Sequence, residues 1–177
     1  MDPHLDLATL TARYAALPPA PRDRGTLSLL VARPDSDQRQ TLERARLSRE
    51  GGVPGDRWQE KDGRPESQLA VMRTDVATLM ANGRPLTLFG DNLFVDLDLS
   101  SENLPTGSRV RIGECLLEVT PEPHNGCAKF EQRFGGDALR FTARKETRDQ
   151  HFRGIYLTVI EEGDVRVGDP VEVVSRA

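Results

Sequence analysis

LPTGSRVRIGECLLEVT, residues 104–120, reads as two short strands joined by a turn at Ile112-Gly113-Glu114. The chain on either side repeats that pattern. TLSLLVA (26–32) and QTLERARL (40–47) flank a polar loop and are expected to pair as neighbouring strands. SQLAVM (67–72) is a further strand, PLTLFGDNLFVDL (85–97) follows, and the chain closes with GIYLTVI (154–160) and PVEVV (170–174). Helical patterns are short. Leu7, Leu10, Tyr14 and Leu17 recur at spacings of 3, 4 and 3, with Asp2 as cap, Pro3 in the first turn, and PPAP at 18–21 as the stop. TDVATLMANG (74–83) gives a helix capped by Thr74 and ended by Gly83, and AKFEQRF (128–134) and DALRFTARK (137–145) give two more. Many short strands separated by Gly, Pro and Asp turns predict a mainly β, barrel-like fold with a few short peripheral α-helices. Residues 1–25 form an N-terminal helix and linker in this reading, and 26–177 form the β domain.

Composition narrows the function classes. With 177 residues, the chain buries roughly 70% of its unfolded surface and needs neither disulfide nor structural metal to fold. Its 24 basic and 28 acidic residues give a net charge of -4 without a long basic run, which argues against nucleic acid as primary partner. No apolar run approaches the roughly 20 residues that span a bilayer, and MDPHLDLATL is acidic where a signal peptide is basic. A cytoplasmic protein with no membrane partner is expected, with Cys115 and Cys127 as reduced thiols.

Cys127 is the first candidate for chemistry. HNG before it breaks regular structure and AKFEQRF after it forms a helix, so the sulfur stands at or just before a helix N-terminus. Free amides there stabilise a thiolate, with Lys129 and Arg133 adding to the effect, and a thiolate binds soft metals or accepts sulfur. The alternative is a buried cysteine used as a small hydrophobe. Cys115, inside a strand, reads as a core residue. His124 and Cys127 form an H-x-x-C half-site that lacks the further ligands of a zinc centre; His124 is otherwise a base toward Cys127 or a solvated loop histidine. In GGVPGDRWQE (51–60) the glycines allow close backbone approach, and Arg57 either forks onto a phosphate or carboxylate or decorates a turn. FGDNLFV (89–95) presents Asp91 and Asn92 after a glycine. No Rossmann or P-loop fingerprint is present.

In order, these pieces resemble the MOSC family, the domain named for the C-terminal part of molybdenum cofactor sulfurases. The resemblance rests on GGVPGDRW (51–58), QLAVM (68–72), GDNL (90–93), LPTGSRVRIGECLLEVT (104–120), NGCAKF (125–130) and GDVRVGD (163–169), and covers roughly residues 26–174. It implies a β-barrel-like fold and a role around the molybdenum cofactor. The family cysteine, thought to carry sulfur or ligate molybdenum, corresponds to Cys127, and Arg57 and Asn92 would line the same pocket. Lys129 and Arg133 join the cofactor-binding set on charge and proximity in sequence. Two departures stand out: Asn125-Gly126 replaces the Pro, with its preceding Arg, found before the cysteine in many relatives, and Asp91 replaces the usual Glu. No region remains for the pyridoxal-phosphate domain of full sulfurases.

Three functions follow as expectations. One is a stand-alone protein binding a molybdopterin-type cofactor through Cys127 and reducing N-hydroxylated small molecules. The second is a sulfur carrier forming a Cys127 persulfide for a partner, so that a redox or sulfur-donor protein is the expected macromolecular contact. The third is a non-catalytic β-barrel binding module.

Overall fold

A computed structural model describes residues 4–177. Its strands in chain order are β1 (Arg24–Ala32), β2 (Gln40–Leu42), β3 (Arg44–Leu47), β4 (Leu69–Arg73), β5 (Leu93–Val95), β6 (Arg109–Ile112), β7 (Cys115–Val119), β8 (Ile155–Glu161), β9 (Gly163–Arg166) and β10 (Pro170–Ser175). The helices are α1 (Leu7–Ala15), α2 (Trp58–Lys61), α3 (Thr74–Ala81), α4 (Ala128–Phe134) and α5 (Gly136–Ala143). β6 and β7 form the expected hairpin, with Ile112 opposite Cys115 across Gly113-Glu114.

Pairing runs β10-β6-β7-β8-β4-β5-β1 and returns from β1 to β10, which closes a seven-stranded barrel; β2 extends β1 outside the ring. Only the β4–β5 pair in this sheet is parallel. Closure removes the unpaired edges that an open sheet presents to other chains. Three register shifts, in β1–β5, β10–β6 and β7–β8, help to curve the sheet. The shift between Leu27 and Leu29 also reverses the parity of β1: Leu27, Leu30 and Ala32 face the barrel interior, while Val31 faces outward.

Two cores result. The barrel interior holds Leu27, Leu69, Val71, Leu93, Val110, Leu117 and Leu157, among others. The second lies between the barrel wall and the helices and takes all six phenylalanines of the chain. There Phe89 stacks on Phe134 at 3.9 Å and Phe141 on Phe152 at 4.6 Å. β4 is buried on both sides between these cores, which explains its unbroken apolar run.

Several local expectations change. QTLERARL is two strands: β2 pairs with β1, but after Glu43 the chain leaves the barrel and β3 pairs with β9. Asp2 and Pro3 lie outside the described residues; Asp6 caps α1, accepting from the Thr9 amide at 2.7 Å. Thr74 is the first residue of α3, Arg73 occupies its cap position, and the helix ends at Asn82 in the left-handed conformation, one residue before Gly83. No helix among the described residues is long and apolar enough to cross a membrane.

Candidate functional site

The two short motifs GDRW and GDNL meet through one carboxylate. Asp56 accepts from the Arg33 amide at 2.8 Å and from its guanidinium at 2.8 and 2.9 Å, from the Trp58 amide at 2.9 Å, and from Asn92 Nδ2 at 2.9 Å. Burial raises this carboxyl, but the Arg33 contacts outweigh it and hold Asp56 below its ordinary value. Asn92 is fully buried. Its Nδ2 also donates to the Val31 carbonyl, and its Oδ1 accepts from the Ala70 amide at 3.1 Å. The structure thus places Asn92 in the frame behind the site, joining β1, β4 and the Asp56 loop.

Cations converge in front of that frame. Arg57 stands at the head of α2 and lines a recess of about 160 Å³ with Arg33 and Tyr156. Arg39 donates through Nη1 to the carbonyls of Asp35, Ser36 and Gln38, while its Nε is buried without a partner. Burial depresses the Arg39 pKa, and the positive charges of Arg133, Arg33 and Arg57 depress it further. Arg133 donates to the Leu88 carbonyl at 2.8 Å and reaches Asp37 at 3.5 Å. Lys129 is exposed, with Nζ 3.6 Å from the same Asp37 carboxylate. Four guanidinium groups therefore share one neighbourhood, with Lys129 beside the Asp37 that Arg133 reaches. Opposing them are Asp56 and Asp37.

A third group is buried beside the cationic one. Asp91 is wholly inaccessible; its Oδ2 accepts from Arg153 Nη1 at 2.7 Å. Arg153 also donates to the Phe89 carbonyl at 3.2 Å and lies over the Phe130 ring at 5.2 Å. Burial pushes the Asp91 carboxyl up against the pull of Arg153. A guanidinium at this distance keeps it a carboxylate, because neutralising it would leave a buried cation unpaired. His124 packs on Tyr156 at 4.4 Å and turns Nδ1 toward Asp91. The solvated-loop reading of His124 is thereby corrected: Pro123 and Asn125 are exposed, but the imidazole between them turns inward. His124 and Arg153 line a cavity of about 570 Å³ with Thr120, Glu122 and Asn125.

Cys127 occupies the cap position of α4 and is exposed; its carbonyl accepts from the Glu131 amide, and its sulfur makes no capping bond. The Asn125-Gly126 lead-in has a steric cause. A Cβ on Gly126 would stand 2.4 Å from Leu139 Cδ1 and 3.3 Å from Phe130 Cδ1, so the chain reaches Cys127 by passing close over the aromatic core. Cys115 is buried in the barrel, and burial pushes its thiol up to about 12. Among the described residues no group of three or more His, Cys, Asp or Glu is placed to hold a metal ion.

Sequence reasoning singled out Arg57, Asn92, Lys129, Arg133 and Cys127 but not Arg33, Arg39, Arg153 or Tyr156, which the structure places around the recess and the cavity. The latter lie at strand ends and in loops, where isolated arginines carry no periodicity. The Arg153-Gly154 pair ahead of β8 was the one available signal, since Gly154 adopts φ +104° and a Cβ there would meet the Val71 carbonyl oxygen at 2.1 Å.

Known proteins share this architecture. A family model described as "MOSC domain" matches residues 56–172. The protein YflK of Bacillus subtilis is 33% identical over 95 residues, which cover 52% of this chain and 40% of YflK, so the match spans less than half of that relative's length. Among solved structures, the YuaD protein of Bacillus subtilis superimposes with a TM-score of 0.66 at 18% identity, covering 85% of this chain and 95% of that one. YiiM from Escherichia coli gives a TM-score of 0.59 at 23% identity, covering 87% and 71%. At these identities the two structures speak to the fold.

Proposed function

The chain belongs to the MOSC domain family, and from that premise we propose that it binds a molybdenum–pterin cofactor through Cys127 and reduces N-hydroxylated small molecules. Two observations carry it: an exposed thiol at the head of α4, and a cluster of four guanidinium groups to which α4 contributes Arg133 and in which Arg39 has a buried, unpartnered Nε. That donor set suits the cofactor: a soft sulfur for the metal and planar, permanently charged forks for a phosphate. When bound, such a cofactor supplies an open metal position and the electrons for breaking an N–O bond.

The chain's own residues have separable tasks in this reading. Cys127 provides the one protein ligand. Arg57 and Arg39 bind the anionic end, with Arg33 and Arg133 adding charge while anchored to Asp56 and to the Leu88 carbonyl. Asn92 keeps the Asp56 loop against β1. Lys129, at the exposed rim, steers anions toward the cluster. A cytoplasmic, reducing setting with a redox protein as electron donor completes the proposal.

A second reading, a persulfide carrier, is favoured by one observation: Cys127 lies at the surface, open to a partner protein. A Cys127 fully buried among apolar side chains would have favoured the non-catalytic module, and the sulfur is instead exposed.

Purification from a cofactor-competent host, followed by metal and pterin analysis, tests the leading reading. Near-stoichiometric molybdenum and pterin are expected, and loss of both in Cys127→Ala. A metal-free protein that instead gains one reversible sulfur in intact mass would replace it with the carrier.

A further inference from the structure

His124 and Asp91 have no task in the function proposed above. His124 lines the 570 Å³ cavity although its side chain is only 6% exposed. Its buried Nδ1 lies 3.5 Å from Asp91 Oδ1, and neither atom has a hydrogen-bond partner. The contact is about 0.5 Å longer than a formed hydrogen bond, yet each is the polar group that the other faces.

The ring is held in that orientation from several sides. Tyr156 packs on it at 4.4 Å, and Gly154 leaves it room, because a Cβ there would stand 3.1 Å from Nδ1. Asp91 is fixed in turn by Arg153, whose guanidinium is tied to the Phe89 carbonyl and seated over Phe130.

Tautomer and acceptor direction follow from this geometry. A proton on Nε2 would set the Nδ1 lone pair against carboxylate lone pairs in a water-poor interior. A proton on Nδ1 gives Asp91 Oδ1 a donor. The charged and titratable groups around the ring are Asp91, Arg153, Arg33 and Tyr156. Burial, with Arg153 and Arg33 adding to it, holds His124 well below its ordinary pKa and the ring neutral. The two imidazole nitrogens point away from one another. With Nδ1 turned to the interior, Nε2 is left as an acceptor on the cavity side.

We infer that His124 is a fixed hydrogen-bond acceptor in the cavity wall, oriented by Asp91, and that the cavity selects small neutral ligands that present an O–H or N–H to it. This rests on the proposed function in one respect: the hydroxyl of an N-hydroxylated compound is the donor that would meet Nε2. Capping that hydroxyl with a methyl group removes the donor and sets a methyl against the acceptor. The capped analogue is expected to bind about tenfold more weakly or worse.

Two measurements on metal-free protein test it, so failure to load a cofactor does not enter. In the first, benzaldoxime and its O-methyl ether are titrated by calorimetry. The oxime is expected to bind at least tenfold tighter, and His124→Phe, which keeps a ring against Tyr156, is expected to bring the two within about twofold. Equal binding of the pair by the wild type, or binding of neither at millimolar concentration, overturns the inference. In the second, side-chain ¹⁵N NMR reads the His124 tautomer. A neutral ring protonated on Nδ1 is expected at pH 7. Asp91→Asn is expected to shift the proton to Nε2, because Arg153 retains the Asn oxygen and its NH2 then faces Nδ1. A wild-type ring protonated on Nε2 overturns the inference whatever the calorimetry shows.

Discussion

Asp56 carries more of the site than any residue with obvious chemistry. One carboxylate gathers Arg33, the Trp58 amide and Asn92, and so fixes where the cationic loop lies relative to the barrel. Its pKa is depressed in the folded state, so its contribution is fully present above the ordinary carboxyl value of 3.8 and is lost as pH falls through the lower folded value. Asp56→Asn has lost that contribution at every pH. At pH 7 the variant is expected to be less stable by about 2–4 kcal/mol, since a half-buried guanidinium is left without its carboxylate. The gap should narrow as pH is lowered below 3.8, which denaturant titrations at pH 7, 5 and 3 would read; a constant gap would mean that charge pairing is not what Asp56 supplies. His124 teaches a related lesson. Its Pro-, Asn- and Gly-containing surroundings indicated a solvated loop, but the ring is directed inward by Asp91 and Tyr156, residues 33 positions before it and 32 after it in the chain.

At the scale of elements, α4 is the piece that presents Cys127, and seven residues do not hold a helix together by themselves. Its stability comes from Phe130 and Phe134, spaced one turn apart and both buried in the aromatic layer with Phe89. Removing the Phe134 ring is expected to cost about 3–5 kcal/mol. The loss should appear locally first: in Phe134→Ala the α4 amides are expected to exchange with deuterium faster than those of β6–β8, under conditions where the barrel stays folded. Uniformly faster exchange would show that helix and barrel unfold as one unit. The spacing of the two phenylalanines was legible in the sequence because helix periodicity is local. The division of QTLERARL between the barrel and the β3–β9 ribbon was not, because its residues suit a strand throughout and only the positions of β1 and β9 decide the break.

For the whole molecule, closure is the decisive event. β10, the last strand, pairs with β6 on one side and with β1 on the other, and so joins the two ends of the chain's β region. A chain ending at residue 169 would leave β1 and β6 with unpaired edges and open the barrel interior to water. It is expected to lose cooperative thermal unfolding and to aggregate, as followed by calorimetry and light scattering. Retention of a sharp transition would show that seven-strand closure is dispensable. Most strands, the β6–β7 hairpin, helices α1 and α3–α5 and the ordered motifs were determined by the sequence itself, since turn chemistry and periodicity act over a few residues; β9, α2 and the β2–β3 break were not. The tertiary structure alone decided that the barrel closes, that Asn92 is buried between β1, β4 and the Asp56 loop, and that Arg33, Arg39, Arg57 and Arg133 share a neighbourhood. It alone turned His124 toward Asp91. The physical reason is the same in each case: a polar side chain is oriented by partners it meets only after long-range pairing has brought distant strands and loops together, and nothing in its immediate neighbours encodes those partners.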